Sequence, residues 1–336
     1  MRKALISITV LALAGGSSLS LARPATKHSA GAVAVPAKLE APKWPELRYS
    51  RDPALQDALV AKLRDLRLSR YASQGKLAVA LVDITVPENP RVAAVNAHQA
   101  MYAASLPKIA ILLGAFQKAA DGLMTLDEPT LEKLTAMIRV SSNSAATEML
   151  EQVGYEYLED VLVRRYKLYD QSLNGGLWVG KPYAKSRTWK RDPLHNLSHA
   201  ATVFEVARFY YLLETGRLVS PHYSRMMKEI LSEPAIHHKF VAGLVEHRPD
   251  SNIFRKSGTW RDWHADSGII ERNGRTYIAV ALAQHPSGGE WLSRMIVALD
   301  DLIFDPANVA RDRMPLTTVA SLEQRSMVRE TYLTPP

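Results

Sequence analysis

Strand-like text stands near both ends of this chain, and helix-like text fills the middle. "KLAVALVDIT" and "PRVAAVNAHQAMYAAS", joined by the turn "VPENP", read as two strands. "NIFRKSGTW" and "HADSGIIERNGRTYIAVALA" read as strands again, the second folded back at the hairpin signal "RNGR". Between them, helical text runs from about Leu106 to Leu244. Within it Thr202-Val203-Phe204-Glu205 has the form of a capping box opening "VFEVARFYYLLETG", which Gly216 closes. Amphipathic helices flank both strand regions. From Asp52, Leu55, Leu59, Leu63 and Leu66 recur at helical spacing behind Pro53, and Trp291, Met295, Leu299 and Leu302 share one face near the C-terminus. This order predicts an α+β fold. Strands from the two ends pair in one antiparallel sheet flanked by helices, and the middle, about 105–245, forms an all-helical lobe. A cleft is expected where the lobes meet.

With 336 residues, 47% of them apolar, the chain is long enough to bury a sizeable core. Arg2 and Lys3, the short apolar run Ala4 to Gly15, and Ser20-Leu21-Ala22 have the layout of a secretory signal peptide, residues 1–22. The Ala-, Pro- and Lys-rich stretch 23–45 reads as a linker, 46–310 as the folded domain, and the proline-punctuated 311–336 as a tail. Export to the periplasm or the medium is therefore expected. The chain has no cysteine, which excludes thiol nucleophiles, zinc–thiolate sites, disulfides and a lipid anchor on cysteine, so no stable membrane anchor is expected. The formal charge is +8, but the basic residues are dispersed without interleaved aromatics, so no nucleic-acid partner is expected. The ten histidines show no metal-ligand spacing, and neither metal nor cofactor is expected. A monomer is expected.

Chemistry gathers first at "AASLPKIAILLGAFQ". Ser105 and Lys108 stand three apart at the front of a helix whose apolar stripe is Ile109, Leu112, Leu113 and Phe116. A helix N-terminus offers free N–H groups and partial positive charge to an oxyanion on that serine. Partial burial would push the lysine toward the neutral form that a base needs. A Ser-x-x-Lys pair is common by chance, and Ser73-Gln74-Gly75-Lys76 is a second one, without a helix start behind it. Two further motifs follow in order. They are Ser141-Ser142-Asn143 in "RVSSNSAATEML" and Lys256-Ser257-Gly258 in "FRKSGTW", on a predicted strand. Each alone is more often a cap or a turn.

Together these motifs resemble the serine β-lactamase and penicillin-binding protein superfamily, whose signature is Ser-x-x-Lys, Ser-Asp-Asn and Lys-Thr-Gly. The class A branch is the closer likeness, over most of Asp52 to Ile303. The resemblance implies a serine hydrolase with Ser105 as nucleophile toward an amide or β-lactam carbonyl. It makes Lys108 the group that takes or relays the proton, and Ser141 the donor to the leaving nitrogen. Asn143 would hold the substrate's side-chain amide. Lys256 would supply positive charge to the substrate carboxylate and to Ser141, and Ser257 would donate to that carboxylate. The N–H groups of Ser105 and Thr259, beside Gly258, would form the oxyanion hole. Arg261 is a further candidate for the carboxylate, against an ordinary pairing with Asp262 or Asp266.

The chain also departs from that pattern. No glutamate stands between Val161 and Phe204, where class A enzymes carry the residue that activates the deacylating water. Asp192, His195 and Lys190 are the substitutes to examine, with Asp192 also a match for a structural aspartate of the loop. Thr147 replaces the asparagine that braces the missing glutamate, Ser142 replaces the motif aspartate, and the Ser105–Ser141 segment is short for the family, which implies a more open cleft. Trp260 and Trp263 either line that cleft or pack the sheet. The substrate is expected to be a small-molecule β-lactam or a peptidoglycan peptide. Three activities remain open: β-lactam hydrolysis with non-standard deacylation, D-alanyl-D-alanine peptidase or cell-wall amidase action, and a penicillin- or muropeptide-binding sensor that stays acylated.

Overall fold

The computed structural model describes residues 44–184 and 188–312. The expected signal peptide, nearly all of the linker and residues 313–336 of the tail lie outside them. Helices α1 (Pro53–Asp65) and α2 (Ser69–Ser73) precede strands β1 (Leu77–Asp83), β2 (Arg91–Val95) and β3 (Met101–Tyr102). Helices α3 (Lys108–Ala120), α4 (Glu128–Arg139), α5 (Asn143–Val153) and α6 (Tyr155–Asp160) come next. Short strands β4 (Tyr169–Asp170), β5 (Gly175–Gly176), β6 (Trp178–Val179) and β7 (His199–Ala201) follow. Helices α7 (Val203–Glu214), α8 (Pro221–Leu231) and α9 (Phe240–His247) lead into β8 (Asn252–Trp260), β9 (Trp263–Arg272) and β10 (Arg275–Gln284). Helices α10 (Gly288–Phe304) and α11 (Pro306–Asp312) close the described chain.

The main sheet has the order β2-β1-β10-β9-β8 and every neighbouring pair is antiparallel. The two ends of the chain meet at the β1–β10 ladder, which runs from Leu77 opposite Ala283 to Asp83 opposite Tyr277. Period-two alternation assigns the faces. Ala78, Ala80 and Val82 join one core with α3, α5 and α7, while Leu77, Val79 and Leu81 join another with Leu55, Leu59 and Leu63 of α1 and Met295 and Leu299 of α10. Cover on both faces explains why β1 reads as one continuous apolar run. Each fully buried leucine here contributes roughly 1.5–3 kcal/mol.

Local chemistry fixes the boundaries. Asp52 caps α1 by accepting from Leu55 N at 2.9 Å. Asn273 and Gly274, both with positive φ, make the tight turn between β9 and β10. At α7 only half of the expected capping box forms. Thr202 Oγ1 accepts from Glu205 N, but the Glu205 carboxylate turns to Arg208 at 2.8 Å.

Two readings of the pattern need correction in detail. The strand expected over 90–105 breaks at Asn96, whose positive φ turns the chain and whose amide donates to Ala72 O and Leu77 O. Its second part, β3, enters a separate sheet of order β3-β7-β6. The lobe read as all-helical over 105–245 also holds β4 to β7. Glycine makes that possible, because a Cβ on Gly176 would lie 2.1 Å from Leu168 O and the β4–β5 pair would not close.

Candidate active site

Ser105 sits in the turn between β3 and α3. The turn is tied to β7 by Ala103 N donating to His199 O at 3.0 Å, and Ala104 takes a φ of 50°. Helix α3 begins at Lys108, one turn after Ser105, so the serine stands at the helix entrance and is half-buried. Lys108 points inward and is 0% exposed. Its Nζ lies 2.6 Å from Ser141 O, 3.3 Å from Ser141 Oγ and 2.8 Å from Asn143 Oδ1. The Tyr183 ring covers it, with the centroid 4.6 Å away. Burial without a carboxylate partner pushes its pKa down to about 7.

Ser141 links the two lysines. It lies between α4 and α5 with a φ of 57°, a conformation that costs a β-carbon residue of order 1–3 kcal/mol and is held by its surroundings. Ser142 follows as the cap of α5, accepting from Ala145 N at 3.2 Å. From the opposite side Lys256 Nζ approaches Ser141 Oγ at 3.0 Å and donates to Ser257 O at 2.9 Å. Burial, then the charges of Lys108 and Arg255, hold the Lys256 pKa well below the ordinary lysine value.

Strand β8 passes directly behind the serine. A Cβ on Gly258 would lie 2.2 Å from Ala103 O and 2.7 Å from Ser105 N, so only glycine lets the two backbones come this close. The approach places Thr259 beside Ser105 and Asn143 in the wall of a crevice of about 350 Å³. Tyr102, Tyr183, His199 and Trp260 complete its aromatic side. Thr259 is exposed there, while Ser257 and Gly258 are buried beneath it. The structure thus brings Ser105, Lys108, Ser141, Asn143, Lys256 and the 257–259 segment to one place.

Arg261 is the exception. It turns at the β8–β9 hairpin with a φ of 50° and lies against Trp260, and no carboxylate pairs with it among the described residues. Asp266 is buried on the strand face behind β8 and takes Arg255 at 2.7 and 2.8 Å. The residue that reaches Thr259 is instead Lys239. Its Nζ donates to Thr259 Oγ1 at 2.7 Å and Gly258 O at 2.6 Å, and burial pushes its pKa down to about 8. Its neighbour His238 meets Ser257 Oγ at 3.2 Å, and burial pushes the imidazole down to about 4, so it is neutral near pH 7. Sequence reasoning weighed His238 only as a metal ligand and did not see Lys239. No local pattern marks either, since the contacts cross from the α9 entrance to β8.

Among the described residues, the crevice wall holds no carboxylate. Asp192, one proposed substitute, is buried in its own loop, accepting from the Tyr169 hydroxyl and from His195 N at 2.7 Å. That is the structural part it was also expected to play. Lys190 pairs with Glu159 at 2.6 Å, and His195 Nε2 contacts Asn174 O at 3.1 Å, so none of the three faces Ser105. The Thr147 hydroxyl is buried with no partner among the described residues. Of the two tryptophans, Trp260 lines the crevice, while Trp263 packs edge-on against Tyr102.

The sequence model of the β-lactamase enzyme family matches residues 58–133 and 128–305. A comparison with curated proteins finds no match. Among solved structures, the β-lactamase from Sphaerobacter thermophilus is similar at 15% identity with a TM-score of 0.57, covering 74% of this chain and 98% of that one. A class A β-lactamase from Bacteroides cellulosilyticus is similar at 15% identity and a TM-score of 0.56, covering 74% and 98%. PBP-A is similar at 18% identity and a TM-score of 0.55, covering 79% and 98%. These likenesses support the α+β fold, and no helix among the described residues is long and apolar enough to cross a membrane. The match over most of the folded domain, with the three motifs converging on one crevice, makes this chain a member of the β-lactamase enzyme family.

Proposed function

We propose that this chain is an exported active-site serine hydrolase that forms an acyl-enzyme with β-lactams. One observation carries the reading: Ser141 Oγ stands between two buried lysines, 3.3 Å from Lys108 Nζ and 3.0 Å from Lys256 Nζ, beside the crevice that Ser105 lines. Lys108, with a pKa of about 7, is substantially neutral at physiological pH and accepts the Ser105 proton as Oγ attacks the carbonyl carbon. The oxyanion forms against the N–H groups of Ser105 and Thr259, each worth about 3–4 kcal/mol. Ser141 gives its proton to the leaving nitrogen and draws another from the lysine pair, so the proton count closes. Thr259 and Ser257, backed by Lys239 and His238, take the substrate carboxylate. The basic start and short apolar run of residues 1–15 support export.

Deacylation is the slow half of the cycle in this reading. A lost general base costs about 10²–10⁴-fold, and no glutamate stands in residues 162–203. The carboxylate-free crevice wall favours a second reading, in which the acyl-enzyme persists and the protein serves as a D-alanyl-D-alanine peptidase, a related amidase or a penicillin-binding sensor. An acyl-enzyme complex with penicillin G is known for a variant of the PBP-A neighbour. Incubating the mature protein with a chromogenic cephalosporin, while following colour and intact mass, separates the cases. Steady turnover supports hydrolysis. A lasting adduct supports the second reading, and D-alanine release from a pentapeptide then identifies a peptidase. The absence of both turnover and adduct would refute the acyl-enzyme proposal.

A further inference from the structure

Away from the crevice, the N-terminal segment 46–49 and the C-terminal half of α7 enclose a cavity of about 360 Å³ in whose wall Arg48, Lys167, Arg208 and Arg217 converge. Among the described residues, Glu46 is the one acidic side chain in that wall. The charges are not fully compensated. Glu46 pairs with Arg48 at 2.9 Å, and Arg208 is committed to the buried Glu205 at 2.8 Å and to Tyr166 O and Lys167 O. Lys167 and Arg217 have no carboxylate within ion-pair distance among the described residues. Arg217 is held in place by the Thr215 hydroxyl at 2.9 Å and the Tyr211 face at 4.9 Å. A half-buried guanidinium that is fixed by neutral groups and crowded by a second arginine keeps donors free for a ligand. Burial first, and then the charge of Arg208, hold its pKa below the ordinary arginine value against the opposing Tyr211 and Glu46.

We infer that this cavity is a second ligand site, taking an oxyanion carried on a small polar scaffold, with Arg217 and Lys167 as the gripping groups. The size suits one sugar-sized unit bearing a phosphate or a carboxylate. The fully engaged Arg208 is fixed in the wall, and the exposed Tyr49 supplies a face against which a ring can lie. Phosphate and carboxylate present the same acceptors to a guanidinium, so the chemistry is shared and the source is settled by measurement.

Isothermal titration of the Ser105→Ala protein with pyrophosphate and, separately, with glucuronate tests the inference, at ionic strength matched with sodium chloride and with neutral glucose as reference. At least one of the two anions is expected to bind with glucose silent, and which of them binds more tightly assigns the source. The Arg217→Gln variant should lose at least about tenfold in affinity. The exposed Lys167→Gln, which leaves the fold untouched, should lose several-fold. Both changes, made in the otherwise unaltered protein, should leave cephalosporin acylation unchanged, which separates this site from the Ser105 crevice. Failure of both anions to bind above the chloride reference, or equal affinity in all three proteins, would overturn the inference.

Discussion

Replacing Gly258 by alanine tests the junction on which the site depends. The added Cβ would stand 2.2 Å from Ala103 O, 2.7 Å from Ser105 N and 2.8 Å from Leu106 N, all of them backbone atoms. No side chain can rotate away to relieve this, so β8 and the Ser105 turn must separate by roughly 1 Å before the contact becomes tolerable. Both donors of the proposed oxyanion hole sit on the parting segments, Ser105 N on one and Thr259 N on the other. A misplacement of that size costs about 10²-fold, and full loss of one donor 10²–10³-fold. The strain also costs about 1–3 kcal/mol of stability, which a domain of this size survives. The assay is stopped-flow acylation by a chromogenic cephalosporin, normalised to folded protein by near-ultraviolet circular dichroism. A fall of at least about 10²-fold in the acylation rate is expected. If the folded variant acylates within threefold of the parent, the close approach of β8 has no part in the chemistry.

The pH dependence follows from two buried lysines. Acylation needs Lys108 neutral, so its rate should fall as pH drops through about 7 and level off above it, and a rate still climbing at pH 9 would show an unperturbed base. Lys239 loses its proton above about pH 8, so affinity for a carboxylate-bearing substrate should weaken on the alkaline side, and kcat/KM should be bell-shaped between the two values. Lys239→Met should raise KM about tenfold with kcat nearly unchanged, because it removes a charged donor from Thr259, and steady-state kinetics or adduct titration reads the split. Asp266→Asn leaves the buried Arg255 without its charge partner and should cost about 3–5 kcal/mol in urea unfolding, whereas a loss below 1 kcal/mol would mean the pair is not structural.

Much of this architecture could be read before any coordinates, for reasons that are local. The 252–260 and 288–304 segments carry their period and their end signals within themselves, and β8 and α10 occupy them without adjustment. Leu55, Leu59 and Leu63 likewise declare the buried face of α1. The motifs were legible because three short patterns in a fixed order resemble the family's signature, whereas each alone reads as a cap or a turn. What stayed hidden depends on distance along the chain. Strands of two residues such as β5 and β6 leave no periodicity, and Asn96 looks like any polar residue until its amide meets Ala72 and Leu77. Lys239 and His238 acquire their roles only when the α9 entrance packs against β8, some twenty residues later in sequence. Arg261 turns at the hairpin that follows Thr259 and lies against Trp260 of the crevice wall, a placement that no local pattern distinguishes from the carboxylate pairing the sequence also offered.

Peptide mapping after brief exposure to penicillin G is the most direct measurement of the proposed chemistry. The reaction should add the intact mass of the drug at a single position, the peptide containing Ser105, and the Ser105→Ala protein should gain nothing while unfolding at the same temperature within a few degrees. Label spread over surface lysines, or equal label on the alanine variant, would mean that Ser105 is not the nucleophile.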